Sequence, residues 1–327
     1  MQKLVVKVLA LAALLGICFG TSGAMAQADS YPTRPIKLII PFVAGGPADV
    51  VGRILAERVG KELGQPFVVD NRPGANSVIG TQLAARAEAD GYSIVMVTGS
   101  TVIVMHFLKD KPYDLWKDFV PIIGIGGVPN ILVVPGKSEL RSLADVIKQG
   151  QTPSGINYAS GGVGSLAHLS GALLSQELKI KGTHVPYKGN FPALQDIVAG
   201  RVDVFMPTPI EALEVIKSGD VRVLGIANDK RIAALPDVPT MKELGYPQIN
   251  PRIWYGFLAP GKTPQPIVDK LNSAFAKAMA DPAVQARLTA LTFETAVTTG
   301  PEFSKFMQDE SARWKKVIDD NHITAEN

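Results

Sequence analysis

The sequence contains one cysteine in 327 residues, and that residue, Cys18, lies in the N-terminal apolar segment. A single cysteine cannot form an internal disulfide or a thiolate zinc site, so an apolar core must hold the fold together. The four histidines, His106, His168, His184 and His322, are not spaced as metal ligands. We therefore expect neither a metal nor a cofactor.

An excess of one charge is also missing. The chain has 33 Lys plus Arg against 30 Asp plus Glu, which provides no basic surface for nucleic acid or an anionic membrane. The motifs G-x-S-x-G, H-E-x-x-H and S-x-x-K do not occur, so no enzyme class is indicated. We expect a monomer that is not an enzyme and binds no nucleic acid.

The first 26 residues follow the pattern of a secretory signal peptide. Lys3 and Lys7 give a positive start, residues 8–20 are apolar, and residues 24–26 read Ala-Met-Ala. The apolar run is shorter than the ~20 residues of a membrane-spanning helix, and no comparable run follows it. We expect cleavage after Ala26 and a mature protein in the periplasm.

Short apolar runs alternate with helical patterns along the mature chain, which is typical of an α/β protein with mostly parallel sheets flanked by helices. Strands are predicted at residues 36–40, 67–69, 93–97, 131–134, 156–158, 202–205, 221–227 and 254–258. Helices are predicted at residues 50–63, 78–87, 143–148, 165–178, 193–199, 210–218, 266–279 and 302–318.

Two segments, residues 121–129 and 228–239, have the composition of crossings between lobes. We expect lobe 1 to comprise residues 27–124 and 236–327, and lobe 2 to comprise residues 125–235. An apolar stripe on the last helix predicts that this helix docks on the core. The stripe consists of Phe303, Phe306, Met307, Trp314, Val317 and Ile318.

Residues 36–53 predict a buried strand, a glycine turn and the start of a helix. Gly46 is the expected N-cap, Pro47 the first helical residue and Asp49 the third, with its carboxylate reaching back to the Gly46 amide. A helix that starts beyond a strand's carboxyl end offers free amides and a positive dipole end, so this turn predicts an anion site.

Two charged residues near this turn have open roles. Asp49 would repel an anion bound to the same amides, so either its side chain points away or the ligand carries an amine. Arg53 shares a face with Glu57 and Lys61 at spacing four, which favours a solvated ion-pair face over a ligand clamp.

A second glycine turn, residues 158–165, again lies between a predicted strand and a predicted helix. Residues 162–167 match the dinucleotide motif G-x-G-x-x-A, but no acidic residue ends the strand expected at 183–185, so the match is weak evidence for a nicotinamide site. Glycine amides and the Ser160 and Ser165 hydroxyls remain, which predicts a second anion site. His168 is expected to be a packed, hydrogen-bonded side chain.

Residues 256–263 match the phosphate-loop motif G-x-x-x-x-G-K-T letter for letter. The motif requires consecutive free amides, whereas these residues continue a predicted strand and Pro260 has no amide. We therefore predict that this match binds no nucleotide.

Six motifs, in order, give the mature chain a family resemblance. They are residues 31–36 (YPTRPI), 41–49 (PFVAGGPAD), 158–165 (YASGGVGS), 185–189 (VPYKG), 235–240 (LPDVPT) and 254–260 (WYGFLAP). As a set they resemble the Bug family, the solute receptors of tripartite tricarboxylate transporters. The resemblance implies a two-lobed, type II-like periplasmic-binding-protein fold that closes on a small carboxylate, with a large and a small membrane subunit as partners.

By position, the resemblance also implies the residues that contact the ligand. They are Phe42, Val43, Ala44 and Gly45 in one lobe, Ser160, Gly161, Gly162, Gly164, Ser165 and Tyr187 in the other, and Ser100 from a neighbouring loop.

The chain departs from the family pattern at Val104-Met105, where Asn-Pro is common, and at Met206-Pro207, where a polar or acidic residue is common. With Phe42 and Phe191 nearby in sequence, these departures favour an aromatic or partly apolar monocarboxylate. An exported hydrolase with cleft carboxylates and a ligand-sensing partner of a two-component system are the alternative functions.

Overall fold

The structure, a computed structural model, describes residues 30–324, and the predicted signal peptide at residues 1–26 lies outside them. The described chain forms two β-sheets with flanking helices, which is the two-lobed α/β arrangement that the sequence predicts. Within residues 30–324, no helix is both long and apolar enough to span a membrane.

The strands in chain order are β1 (Ile36–Ile40), β2 (Phe67–Asn71), β3 (Ser93–Thr98), β4 (Phe119–Pro129), β5 (Ile131–Pro135), β6 (Ile156–Ser160), β7 (Gly182–Pro186), β8 (Val204–Phe205), β9 (Val221–Ile226), β10 (Arg252–Pro260) and β11 (Glu294–Thr298). The α-helices are α1 (Pro47–Leu63), α2 (Val78–Ala85), α3 (Gly99–Ile103), α4 (Leu143–Gly150), α5 (Leu166–Leu178), α6 (Asn190–Val198), α7 (Pro209–Lys217), α8 (Gln265–Ala280), α9 (Pro282–Ala290) and α10 (Gly300–Asp320). A 3₁₀ turn, Val104–His106, follows α3.

The first sheet has the order β11-β4-β10-β3-β1-β2 and the second the order β7-β6-β8-β5-β9. β1 pairs in parallel with β2 and β3, and β6 pairs in parallel with β7 and β8. β10 is antiparallel to β3 and β4, β11 to β4, and β5 to β8 and β9. Four of the six described strands of the first sheet (β1 to β4) and four of the five of the second (β6 to β9) run in one direction, which agrees with the predicted fold class; the antiparallel pairs arise where β10 returns between β3 and β4, at β11, and where β5 lies between β8 and β9.

The Gly/Pro-rich residues 121–129 form most of β4 and are not a crossing. Their glycines permit close backbone approach on both sides. A Cβ on Gly127 would lie 2.0 Å from the Ile253 carbonyl oxygen of β10, and one on Gly126 would lie 2.1 Å from the Glu294 carbonyl oxygen of β11. Three further elements, β11, α9 and the short helix α3, are not among those predicted from the sequence.

The chain crosses between the sheets at Asn130 and next to Pro251. The Asn130 amide donates to the Pro251 carbonyl at 3.1 Å, and its own carbonyl accepts from the Ala227 amide at 2.8 Å. The predicted boundary at 124/125 falls inside β4, and Met241 and Ile249, beyond the boundary predicted at 235/236, pack in the core of the second sheet. We therefore propose lobe boundaries at these two crossings.

Helix α1 follows its sequence signals closely. Pro47 is its first residue, Gly46 is its N-cap, and Gly64 ends it with φ 71°. Val51, Leu55 and Val59 are at most 2% exposed, whereas Glu57 and Lys61 form a solvated ion pair at 3.0 Å. The predicted division into a packed and a wet face is confirmed.

The apolar stripe of α10 docks on the core, as predicted, but it contacts both lobes. Phe303 and Met307 pack with Trp254 of the first sheet. Trp314, in the second half of the helix, packs with Leu169 and other residues of α5, which belongs to the second lobe. The last helix therefore bridges the two lobes.

Candidate ligand-binding cleft

A cavity of about 520 Å³ lies between the lobes, at the carboxyl ends of strands from both sheets. A volume of this size is within the usual range for small-molecule sites, and the position is the one that open α/β sheets use for ligands. The first lobe contributes Pro41, Phe42, Val43, Gly46, Pro47, Ala48, Pro73, Gly74, Asn76, Ser77, Thr98, Gly99, Ser100, Ile253 and Tyr255. The second contributes Gly161, Ser165, Leu166, Gly189, Asn190 and Glu211.

The first cleft turn, residues 41–46, leads into an open helix start. The N-cap Gly46 provides no side-chain hydrogen bond to α1, and Ala48 in the first turn of α1 lines the cavity. The Ala48 amide has no partner within the helix, because the first intrahelical bond runs from the Val50 amide to the Gly46 carbonyl. This helix start can therefore receive an anion.

Asp49 supports the first cleft turn from behind. Its carboxylate accepts from the Gly45 amide at 2.8 Å, the Arg53 Nε at 2.9 Å and the Asn71 Nδ2 at 2.9 Å. The predicted partner, the Gly46 amide, instead donates to the Val43 carbonyl at 3.3 Å. Of the two alternatives for Asp49, the structure shows the side chain engaged away from the open amides.

The electrostatics of Asp49 agree with a role as an internal anchor. Burial of its side chain raises its pKa, but hydrogen bonds from Arg53, Gly45 and Asn71 outweigh burial and hold the pKa below its ordinary value. Arg53 thus pairs with Asp49 and also donates to Asn71 at 3.0 Å, although half of its side chain is exposed. It neither lines the cavity nor joins the Glu57–Lys61 pair.

The second cleft turn, residues 160–165, uses most of its polar groups internally. The amides of Gly162, Gly164 and Ser165 donate to Ser160 Oγ, His168 Nδ1 and the Gly162 carbonyl at 3.1–3.2 Å. The Ser165 hydroxyl caps α5 by accepting from the His168 amide. A glycine-rich turn predicts free amides, but in this turn these three amides are already paired.

Two stacked histidines lie beneath the second cleft turn. The His168 and His184 ring centroids are 3.6 Å apart with planes 6° apart, and Tyr158 stacks on His184 at 5.3 Å. Ser160 Oγ lies 2.6 Å from His184 Nε2. Burial lowers the pKa of both histidines to about 4. Because His168 Nδ1 accepts from the Gly164 amide, His168 must be neutral in this arrangement, so it is a packed, hydrogen-bonded residue as predicted.

The second lobe also has an open helix start at the cavity wall, at Gly189 and Asn190. Gly189 is the N-cap of α6, with φ 108°, and provides no side-chain cap, while both residues line the cavity. The Gly189 amide donates to the Gly161 carbonyl at 3.1 Å, which holds this helix start beside the second cleft turn. The sequence predicts a helix from residue 193 and so does not indicate this helix start; the glycine at residue 189 is the signal that could have found it.

The predicted contact residues fall into two groups. Phe42, Val43, Ser100, Gly161 and Ser165 line the cavity. Gly45 lines a neighbouring apolar cavity of about 140 Å³, while Ala44, Ser160, Gly162, Gly164 and Tyr187 are not at the wall of either cavity. Contact between these residues and a ligand in a closed form remains a prediction.

Tyr187 illustrates why the second group lies away from the wall. Its hydroxyl donates to Asp196 at 2.7 Å, and burial together with Asp196 raises the pKa of Tyr187 to about 12. The hydroxyl is thus a fixed donor to its own lobe.

The residues behind the apolar-ligand hypothesis are placed differently from what the sequence suggested. Val104 and Met206 are in the cores of the two lobes, and Phe191 is 70% exposed outside the cavity wall. The apolar part of the wall is formed by other side chains, notably Phe42, Leu166 and Ile253.

The cavity wall contains no Lys, Arg or His among the described residues, and Glu211 is its only charged side chain. An anion bound in this cavity would therefore be held by uncharged groups, namely the open helix starts and the hydroxyls, and not by a cationic side chain. The described residues also contain no cluster that could hold a metal ion. The phosphate-loop match fails as predicted, since Gly256 to Pro260 lie within β10.

Two α/β lobes around a cleft whose walls offer helix starts, hydroxyls and a mostly apolar surface define a solute-binding receptor of the periplasmic-binding-protein class. The model of the tripartite tricarboxylate transporter family receptor matches residues 51–323. The chain belongs to this family, as the motifs suggested, and is a solute-binding receptor and not an enzyme.

Individual relatives agree with this assignment. The chain is 36% identical to the protein BugT of Bordetella pertussis over 94% of this chain and 96% of that protein. Among solved structures, Rpa4515 of R. palustris with adipate has a TM-score of 0.78 and 31% identity, covering 90% of this chain and 99% of that one. MatC of Rhodopseudomonas palustris with bound malate has a TM-score of 0.72 and 31% identity, covering 88% and 100%.

Proposed function

We propose that this protein captures a small carboxylate in the interlobe cleft and delivers it to the large and small membrane subunits of a tripartite tricarboxylate transporter. The expected site of action is the periplasm, after removal of residues 1–26. N-terminal sequencing of the exported protein should give Gln27, and a chain that keeps its first 26 residues in the periplasm would contradict the predicted cleavage.

The observation that carries the proposal is the pair of opposed helix starts in the cleft. Ala48 of α1 and Asn190 of α6 line the same cavity from different lobes, and neither helix has a side-chain cap. Each helix start carries a partial positive charge and unpaired amides, which favour a carboxylate by about 0.3–1 kcal/mol or more when partly buried. A ligand held from both sides would stabilise the closed form of the lobes.

The ligands of two solved relatives support the choice of a carboxylate, because one was solved with adipate and the other with malate. The composition of this protein's own cavity wall favours a ligand of low charge. It has no cationic side chain among its described wall residues, and Phe42, Leu166 and Ile253 give it apolar surface. We therefore retain a partly apolar monocarboxylate as the expected ligand.

Closure requires two flexible crossings, and the structure supports Asn130 as one of them. Asn130 is 3% exposed, and its Nδ2 donates to the Met206 carbonyl at 2.6 Å, whereas its Oδ1 has no hydrogen-bond partner among the described residues. An unsatisfied buried acceptor costs about 1–3 kcal/mol, so an arrangement of the lobes that gives Asn130 Oδ1 a partner would recover that free energy. We propose that the lobes hinge here and at Pro251.

Binding and recovery of unchanged ligand test the proposed function. Thermal denaturation against a panel of mono-, di- and tricarboxylates should identify acids that stabilise the protein by ~2.7 kcal/mol at 100 times Kd. Mass spectrometry of the ligand after incubation should show no turnover. A folded protein that no carboxylate stabilises would overturn the proposal.

A further inference from the structure

A second cavity, of about 140 Å³, lies beside the ligand cleft, and we call it the annex. Pro47 and Tyr255 line both the annex and the cleft, so the two cavities share part of one wall. The rest of the annex wall is mostly apolar and includes Val50, Val51, Val128, Ile210, Leu291 and Phe293.

Two helix starts run from the cleft into the annex. On α1, Ala48 lines the cleft, whereas Val50 and Val51 line the annex. On α7, Glu211 lines the cleft and Ile210 lines the annex. Because an α-helix rises about 1.5 Å per residue, Val51 lies only about 4.5 Å farther along the α1 axis than Ala48. A carboxylate at the Ala48 amide is therefore a few carbon atoms away from the annex.

The donors that Thr208 and Gly45 bring to the annex wall are already used. The Thr208 amide and hydroxyl both donate to Glu211 Oε2 at 2.8 Å, and the Gly45 amide donates to Asp49 at 2.8 Å. A polar group that entered the annex would lose its hydrogen bonds to water without gaining these donors, whereas an apolar group would lose none. The annex therefore favours an apolar occupant.

Two aromatic side chains give the annex a preference for a further ring. Tyr255 and Phe293 are buried, and their ring centroids are 5.7 Å apart with planes 31° apart. Aromatic rings attract one another in tilted and offset arrangements at centroid distances of about 4.5–7 Å, so a ligand ring beside this pair gains favourable contacts. The volume also fits, since an apolar cavity of roughly 150 Å³ in another protein binds benzene.

We propose that the annex is the specificity pocket of this receptor and takes an apolar group about the size of a benzene ring. A short carbon chain joins this group to the carboxylate that the helix starts hold, so the ligand class is an aryl-substituted short-chain monocarboxylate. The inference rests on the proposed function, because it assumes that the carboxylate binds at Ala48 and Asn190.

An occupied annex also favours the arrangement in which both lobes line it. Thr208 and Ile210 belong to the second lobe, whereas Val51, Val128 and Phe293 belong to the first. A ring in the annex contacts both lobes at once and therefore stabilises their closed arrangement, in addition to the contacts of the carboxylate.

Isothermal titration with matched pairs of acids tests the proposal. The pairs are acetate and phenylacetate, propanoate and 3-phenylpropanoate, and butanoate and 4-phenylbutanoate. In at least one pair, we expect the acid with the ring to bind about 10-fold more tightly or better, because each methylene-sized group that leaves water for an apolar wall contributes about 4-fold.

Two variants assign this preference to the annex and not to the apolar part of the cleft. Ile210→Trp fills the annex from the second lobe, and Leu291→Trp fills it from the first. Both residues are half-buried, and neither lines the cleft. Each variant should reduce the preference for the ring to less than about 2-fold, because the added indole occupies the space of the ligand ring.

The matched control is Ile216→Trp. Ile216 is also half-buried on α7, but it packs against the core of the second lobe and lies at the wall of neither cavity. This variant should keep the preference for the ring. Thermal denaturation of each variant checks that it is folded.

The outcomes separate the two proposals. If the ring improves binding by less than about 10-fold in every pair, or if the preference survives in folded Ile210→Trp and Leu291→Trp, the annex proposal is wrong and the receptor assignment stands. If the folded wild-type protein binds none of these acids or those of the wider carboxylate panel, the carboxylate receptor proposal fails, and the annex proposal fails with it.

Discussion

The two cleft turns have similar sequences of glycine and small residues, but they are held in different ways. The first, residues 41–46, is exposed at its tip, where Val43 is 62% accessible, and it is anchored at Gly45 by Asp49 and at Phe42 by Asn71. The second, residues 160–165, rests on the stacked pair His168 and His184.

We expect this difference to give the two lobes different roles in ligand binding. The second cleft turn and the adjoining start of α6 form a preorganised surface, since its amides are already fixed by internal bonds. The first cleft turn has a free tip and can adjust as the lobes close. We therefore expect changes in the second turn to cost affinity and stability together, and changes in the first to cost less.

The largest effect is expected at Gly161. A Cβ at this position would meet Asn190 Oδ1 at 2.4 Å, so Gly161→Leu should displace Asn190 and fill the cleft wall. Titration with an acid that the wild-type protein binds should show a loss above 1000-fold, or more than ~4 kcal/mol. The fold should persist, because the first atom displaced is the end of a side chain.

Gly46→Ala is the matched change in the first cleft turn. Its added Cβ would meet the Val43 carbonyl at 3.2 Å, so we expect a loss of less than 10-fold. Equal losses at Gly46 and Gly161 would remove the contrast between the two turns, and retained affinity in Gly161→Leu would exclude the second turn from the site.

The histidine pair gives the second turn a dependence on pH. In the folded protein both histidines have a pKa of about 4, compared with 6.5 for an unperturbed histidine. Between these values the unfolded chain binds more protons, so stability is complete above pH 6.5 and falls as the pH drops toward 4. The slope should approach ~1.4 kcal/mol per pH unit for each histidine.

Urea denaturation at pH 7, 6, 5 and 4.5 measures this slope, with the double variant His168→Phe/His184→Phe as the comparison. The variant should lose most of the pH dependence in this window. A wild-type stability that stays constant from pH 6.5 to 4.5 would show that the histidines are not held neutral.

Mutation of Ser160 tests whether the histidine pair supports the second cleft turn. Ser160→Ala removes the partner of His184 Nε2 and of the Gly162 amide in a fully buried position, which should cost about 1–3 kcal/mol in the free energy of unfolding. Ser100→Ala changes a hydroxyl at the cavity wall and should cost less than about 0.5 kcal/mol. Equal costs in urea denaturation would mean that the buried hydroxyl does not brace the turn.

The smallest of these effects is expected at the base of the first turn. Asp49→Asn keeps an acceptor for the Gly45 amide but loses the charge that pairs with Arg53, at a cost of about 1 kcal/mol. Glu57→Gln on the exposed face of the same helix should cost no more than about 0.5 kcal/mol. A larger loss for Glu57→Gln in urea denaturation would contradict the anchoring role of Asp49.

Much of this architecture could be predicted from sequence because it depends on local signals. β1 has its predicted bounds, and α1 follows from Pro47, Gly64 and the buried spacing of Val51 and Leu55. The residues that match the phosphate-loop motif form a strand, and this too could be predicted from local signals, namely the apolar run and Pro260.

The remaining features depend on partners that are distant in sequence. Whether the Gly164 amide is free depends on His168 Nδ1, and a cavity lined by residues of both lobes exists only when the two lobes are assembled. The start of α6 was missed because the sequence Asn-Phe-Pro after Gly189 resembles a loop more than a first helical turn. Glycines in β4 suggested a crossing, but they serve close strand contact.

The decisive measurement is a crystal structure of the protein with the acid of the carboxylate panel that binds it most tightly. We predict carboxylate oxygens within about 2.7–3.2 Å of the amides of both Ala48 and Asn190, so that each lobe contributes one helix start. A carboxylate that contacts only one lobe, or that binds outside the cleft, would contradict it.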